Sequence, residues 1–111
     1  MKKITIIKSD FRNKARIKSI ELVKDRKHVV FSHIFFSNLT RIEKDTQVII
    51  FDHINQEELV SLEEFLNLET VLIRKPYEKA VEIDRPEVII LTHVLDKKYL
   101  SIFENVELIE L

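Results

Sequence analysis

The chain has 111 residues, of which 45% are hydrophobic and 33% charged, which is typical of one small folded domain and not of a disordered chain. The absence of cysteine excludes a disulfide scaffold, a thiol nucleophile and a cysteine zinc site. The absence of glycine removes every glycine-rich phosphate loop in its usual form. No apolar run is long enough to span a membrane, so we expect a single cytoplasmic domain over residues 1–111.

The formal net charge of -1 conceals a strong separation of charge along the chain. Residues 1–44 hold twelve Lys and Arg against four Asp and Glu, whereas residues 45–111 hold six against fifteen. A basic segment of this kind is typical of surfaces that contact nucleic-acid phosphates, a nucleotide or an acidic protein. It is equally typical of the solvated face of an ordinary helix.

In the first half of the chain, runs of Ile, Val and Phe predict buried strands. These runs occupy residues 4–7, 29–31 and 48–51. Between the first two strands, Ile17, Ile20 and Val23 recur at helical spacing and predict a helix over residues 13–24. Residues 34–42 predict a short helix or a turn.

In the second half, Asn55 and Glu58 form the sequence pattern of a capping box and predict that a helix begins there. Its buried stripe is predicted to consist of Leu59, Leu62, Phe65 and Leu66. Two short strands at 70–73 and 80–83 flank a turn, and an apolar strand follows at 88–91. Asp96 predicts the cap of a last helix, and residues 106–111 predict an edge strand.

This alternation of strands and helices predicts an α/β fold, in which a mostly parallel sheet of about five strands has helices on both faces and a small β-hairpin is added. Ligands of such sheets bind at the carboxyl ends of the strands. Polar residues follow the strands here in the segments Lys8-Ser9-Asp10, Ser32-His33, Asp52-His53 and Thr92-His93. Polar residues also begin at strand ends simply because the chain leaves the core there.

Two kinds of chemistry are compatible with these strand ends. Asp52, His53 and His93 are candidate catalytic residues for proton or phosphoryl transfer. Asp10 and Asp52 are candidate metal ligands. No HxH or HExxH spacing supports a metal site, so the candidates depend on whether the fold brings these side chains together.

Residues 3–93 resemble, in the order and spacing of their segments, the core of the P-loop ATPases, and in particular the superfamily 3 helicase domain of viral and plasmid replication proteins. The segment Lys8 to Ala15 lies where that family has G-x-x-x-x-G-K-[ST], and Lys14 alone matches it. The apolar run ending in Asp52 resembles the family's acidic strand, and the run ending in Thr92 resembles its sensor strand, with His93 in place of asparagine.

The resemblance implies roles for several polar and basic residues. On this resemblance, the residues expected to bind a phosphate or a nucleotide are Arg12, Asn13 and Lys14, at the start of the first helix. Nucleic-acid contact falls to Arg74, Lys75 and Lys79 on the hairpin. The cofactor that the resemblance implies is a nucleotide with magnesium, although the residues by themselves indicate none.

The departures from the family pattern argue against ordinary ATP hydrolysis. The hydroxyl that would bind magnesium is replaced by Ala15, and His53 replaces the acid that would polarise water. We therefore expect a degenerate, non-hydrolysing P-loop-like module that contacts nucleic acid, a nucleotide or a protein partner. Two alternatives stay open. One is a metal-dependent or phosphoryl-transfer enzyme using Asp and His at the sheet's edge, and the other is a structural or assembly domain.

Overall fold

The computed structural model describes residues 3–32, 41–93, 95–103 and 105–111. The elements in chain order are β1 (Ile4–Lys8), α1 (Arg12–Val23), β2 (His28–Phe31), β3 (Val48–Phe51), α2 (Gln56–Ser61), α3 (Glu63–Leu66), β4 (Thr70–Ile73), β5 (Val81–Asp84), β6 (Glu87–Thr92), a 3-10 helix (Lys97–Ile102) and β7 (Val106–Glu110). Most of the predicted segment 34–42 lies outside the described residues. No helix among the described residues is long and apolar enough to cross a membrane.

Five strands form a parallel sheet in the order β2-β3-β6-β1-β7. In the centre of the sheet, Ile6 lies beside Ile90 on one side and beside Leu108 on the other. The strands β4 and β5 form a separate antiparallel hairpin. The predicted α/β class, the five-stranded parallel sheet and the hairpin are therefore confirmed.

The sheet has a hydrophobic core on each face, because side chains alternate along every strand. The larger core includes Ile6, Phe51 and Ile90 and is covered by α2, α3, the hairpin and the 3-10 helix. The smaller core includes Ile7 and Ile89 and is covered by α1. The connection from β1 to β2 crosses the sheet in one direction, whereas the later connections, from β2 to β3, from β3 to β6 and from β6 to β7, run in the other direction. Because crossovers between parallel strands are right-handed, the β1–β2 connection lies on the opposite face of the sheet from the others.

The predicted helix α1 is confirmed, and its buried stripe consists of Ala15, Ser19 and Val23. Of the three apolar residues whose spacing predicts the helix, Val23 is buried, whereas Ile17 and Ile20 are exposed. Residues spaced by four lie on one face of a helix, and small residues at two of the three positions let the helix backbone approach the strands closely. Hydropathy alone therefore does not identify the face of α1 that packs on the sheet.

The predicted burial of the second strand was wrong in part. β2 is an edge strand, and of its four residues Phe31 alone is fully buried. Val30 is 37% exposed on the α1 side, where α1 packs mainly over β6 and β1. Side chains alternate between the two faces of a strand, so an edge strand that is covered on one face buries fewer apolar side chains than a run of Val and Phe predicts.

The start of α2 matches its prediction. The Glu58 N–H donates to Asn55 Oδ1 at 2.8 Å, and the Asn55 N–H donates to Glu58 Oε1 at 3.3 Å, which completes the capping box. All four residues of the predicted apolar stripe are buried, namely Leu59, Leu62, Phe65 and Leu66. Asp96 also caps the last helix as predicted, accepting from the Lys98 N–H at 3.1 Å, although that helix is of the 3-10 type.

Replacing Asn55 with alanine is expected to lower the free energy of unfolding by about 1 kcal/mol, because the Glu58 N–H loses its acceptor at an exposed helix start. Urea unfolding followed by circular dichroism measures the change. Asn55→Ser keeps an acceptor oxygen and should recover most of the loss. Equal destabilisation by both variants would contradict this explanation.

Candidate functional site at the carboxyl edge of the sheet

The carboxyl ends of β3, β6 and β1 lie next to one another at one edge of the sheet. Backbone hydrogen bonds hold the loops that leave them, since the Ser9 N–H donates to Thr92 O at 3.0 Å and the Ile54 N–H to Leu91 O at 2.9 Å. The chain leaves β1 toward β2 at one side of the sheet, and leaves β6 toward β7 at the other side. Parallel sheets bind ligands at such a reversal of direction.

A cleft of about 210 Å³ opens at this edge. This volume is below the roughly 300–1,000 Å³ of sites that enclose a drug-sized ligand, so the cleft suits a group the size of a phosphate, with the rest of a ligand outside. Its walls are formed by Ser9, Asp10, Arg12, Ala15, Asp52, His53, Leu91, Thr92 and His93. The fold therefore brings together five of the predicted site residues: Asp10, Arg12, Asp52, His53 and His93.

Asp52 is the buried charged group of this cleft, with 5% of its side chain exposed. Its Oδ2 accepts from Arg16 Nε at 2.9 Å, from Arg16 Nη2 at 2.8 Å and from Arg12 Nη2 at 3.4 Å. Its Oδ1 is buried and has no hydrogen-bond partner among the described residues. Two guanidinium groups face this carboxylate, and Asp10, the second carboxylate that lines the cleft, balances the remaining positive charge.

His53 and His93 form a stacked pair at the rim of the cleft. Their ring centroids are 5.6 Å apart and the ring planes differ by 13°. His53 has a φ of 59°, in the left-handed region where His is enriched among residues other than glycine. Both side chains are exposed, so the pair offers an aromatic face on which a planar ring of a ligand can stack.

The amino end of α1 lies beside the cleft. No side chain caps this helix, because Ser9 Oγ accepts from the Phe11 N–H at 3.0 Å instead of from a helical amide. The first N–H groups of a helix have no partner within the helix and bear a partial positive charge. Together with Arg12, this helix end favours an anionic group in the cleft.

The segment from Lys8 to Ala15 does not adopt the shape that a phosphate-binding loop needs. Lys8 ends β1 and Arg12 begins α1, so the connecting loop consists of three residues, 9–11. None of the residues 8–15 has a positive φ. Backbone amides in such a short loop cannot wrap around a phosphate, and the amino end of α1 supplies the donors in their place.

The remaining predicted binding residues lie away from the cleft. Asn13 and Lys14 are exposed on the first turn of α1, where Lys14 Nζ lies 5.1 Å from the centre of the Phe11 ring.

Lys75 forms an ion pair with Glu43, a residue near the amino end of β3. Near this opposite edge, a second and highly charged cavity is lined by Glu43, Lys44, Asp45, Ile73, Lys75, Glu78, Lys79 and Val81. Arg74 is exposed on the same hairpin.

The residues of the cleft do not fit a protein-bound magnesium ion. Asp10 and Asp52 both line it, but Asp52 Oδ2 is already held by two arginines, and Ala15 offers no hydroxyl. Among the described residues, no group of three or more His, Cys, Asp or Glu could hold a metal ion. We therefore assign no chemical step to a metal held by these side chains.

Sequence reasoning missed Arg16, which makes the shortest contacts to Asp52. The signal for it is its position four residues after Arg12, which places both side chains on one side of α1. That side borders Asp52, because Arg12 and Arg16 both reach its carboxylate.

A scan against protein-family models finds no family that matches this chain, and a search of curated proteins finds no match. The functional argument therefore depends on the geometry of the cleft.

Proposed function

We propose that this domain is a non-hydrolysing binding module that holds a phosphate group of a nucleotide in the cleft at the carboxyl edge of the sheet. The observation that supports it best is the juxtaposition of Arg12 with the uncapped amino end of α1 at the point where the strand connections reverse. Both features favour an anion, and the cleft has room for a phosphate.

Arg12 is better placed than Arg16 to bind the phosphate. Its contact to Asp52 is long, at 3.4 Å, and its side chain lines the cleft. Arg16 makes two contacts shorter than 3 Å to the same oxygen and is occupied by them. Arg12 can therefore turn toward a phosphate and bind it with two parallel N–H groups while Arg16 continues to neutralise Asp52.

The stacked pair favours a nucleotide over inorganic phosphate. His53 and His93 expose parallel rings beside the site that we assign to the phosphate. A base stacked on an aromatic side chain contributes about 1–3 kcal/mol to binding. The phosphate would then occupy the cleft while the base lies outside it on the histidines.

Binding without hydrolysis follows from the residues present. Phosphoryl transfer needs a metal ion held in place and a group that orients the attacking water. Ala15 and the arginine-bound Asp52 do not supply the first requirement. His53 is stacked on His93, and its role on this proposal is to contact the ligand.

The test is a thermal-shift experiment with ATP, ADP and pyrophosphate, each with and without magnesium. A ligand at about 100 times its Kd should stabilise the domain by roughly 2.7 kcal/mol, which raises the Tm by several degrees. Arg12→Gln should weaken binding by about 10- to 100-fold, because a charge-assisted hydrogen bond contributes about 1.5–3 kcal/mol. His53→Ala should reduce the shift with ATP and leave the shift with pyrophosphate unchanged.

Lys79→Gln is the matched control, since it removes one positive charge from the opposite edge of the sheet and should leave every shift as in the wild type. A flat response of the wild type to all three ligands would overturn the proposal. Equal losses from Arg12→Gln and Lys79→Gln would show nonspecific attraction to positive charge.

A further inference from the structure

One surface of α1 remains apolar and uncovered. Ile17 and Ile20 are 60% and 64% exposed and lie three residues apart, so they form one stripe on the helix. Among the described residues, α1 is the one helix on its face of the sheet, and no element of that face packs over this stripe. We call Ile17 and Ile20 the α1 stripe.

The α1 stripe has a basic border. Lys14 precedes Ile17 by three residues, which places it beside the stripe, and Lys24 is the first residue after the helix. Residues 12–23 contain four Lys and Arg and a single acid, Glu21. An apolar stripe with this border fits a partner that is apolar in the middle and acidic around it.

The opposite face of the molecule presents a surface of that composition. Val60 on α2 is 42% exposed, and Leu68, which follows α3, is 42% exposed as well. Glu57 precedes Val60 by three residues, and Glu64 follows it by four. The helices α2 and α3 contain four glutamates and no Lys or Arg. We call Glu57, Val60, Glu64 and Leu68 the acidic surface.

The two surfaces cannot meet within one molecule. The α1 stripe lies on the side of the sheet that α1 covers, whereas α2 and α3 pack on the other side. They can meet between two molecules, with opposite charges around apolar centres. We propose that α1 of one copy docks on the acidic surface of a second copy, in a head-to-tail arrangement. Because the two surfaces differ, each copy retains one unused surface and the chain of copies can continue.

The experiment is sedimentation velocity over a range of protein concentrations at low and high ionic strength. The wild type should form species larger than its monomer mass of 13.2 kDa as the concentration rises. High salt should weaken this association, because the charged borders are exposed. The double variants Ile17→Asp with Ile20→Asp, and Val60→Lys with Glu64→Lys, should each be monomeric.

A mixture of the two double variants distinguishes the proposed arrangement from a symmetric dimer. Each variant retains the surface that the other has lost, so an equimolar mixture should form a heterodimer of twice the monomer mass and nothing larger. A wild type that stays monomeric at every concentration would overturn the proposal. Continued self-association of the Val60→Lys, Glu64→Lys variant would also overturn it, since that result requires α1 to pair with α1.

Leu72→Asp is the matched control. Leu72 is 63% exposed on the outer side of β4 and belongs to neither surface, so its variant should associate like the wild type. Loss of association in this variant would count against the proposal. The replaced side chains are exposed, and far-UV circular dichroism should be unchanged. If the α1 double variant loses structure, Ile17→Ser with Ile20→Ser takes its place in the mixture.

Discussion

Replacing Arg16 with methionine is expected to lower the free energy of unfolding by about 2 kcal/mol. The Asp52 carboxylate is almost completely buried, and Arg16 makes its two shortest contacts. Removing one partner of a fully buried ion pair typically costs about 3–5 kcal/mol. The Arg16 side chain is 44% exposed, and Arg12 remains 3.4 Å away and can approach, so the expected value lies below that range. Equilibrium unfolding in urea measures it.

Two further variants separate the ion pair from the loss of a helix residue. Lys18→Met removes an exposed cation from the same helix, whose partner Glu21 lies 3.7 Å away, and should change stability by about 0.5 kcal/mol or less. Combining Arg16→Met with Asp52→Leu should recover at least half of the loss, because an apolar pair replaces a buried charge. If the double variant is no more stable than Arg16→Met alone, the buried carboxylate is not the cause.

The central strands β1, β3 and β6 could be predicted from the sequence because each of them contains a short run of Ile, Val or Leu that a parallel sheet buries. The start of α2 could be predicted because Asn55 and Glu58 contact each other within one turn. The buried face of α1 could not, because Ile17 and Ala15 both lie on regular helical stripes and hydropathy favours the wrong one. Which stripe faces the sheet depends on how closely the helix can approach the strands.

The same distinction holds for the candidate site. Asp52, His53 and His93 could be placed at one edge because parallel strands end together. The role of Arg16 could not be predicted, since its partner is 36 residues away and the contact depends on how α1 crosses the sheet. The contact of the hairpin residues with nucleic acid stays a prediction, and Lys75 and Lys79 lie near the opposite edge of the sheet from the cleft.

Arg85 is the second residue that sequence reasoning missed, and it is the largest fully buried side chain among the described residues. It lies between β5 and β6, where its Nε donates to Leu68 O at 3.2 Å and its Nη1 to Pro86 O at 2.7 Å. Burial lowers the pKa of the Arg85 guanidinium from its ordinary value. These contacts join the segment before β4 to the start of β6, and so attach the hairpin to the sheet.

Arg85→Met is therefore expected to lower the free energy of unfolding by about 2–5 kcal/mol, because the carbonyls of Leu68 and Pro86 lose their donors at roughly 1–3 kcal/mol each. Arg85→Lys should be destabilised as well, since an ammonium cannot donate to two carbonyls in the fixed geometry of the guanidinium.

Arg74→Met removes an exposed arginine from the same hairpin and should change stability by about 0.5 kcal/mol or less. Urea unfolding of the three variants gives these values, and limited proteolysis should cut the hairpin first in the two Arg85 variants. Wild-type stability in Arg85→Met would mean that the hairpin is held by its apolar contacts alone.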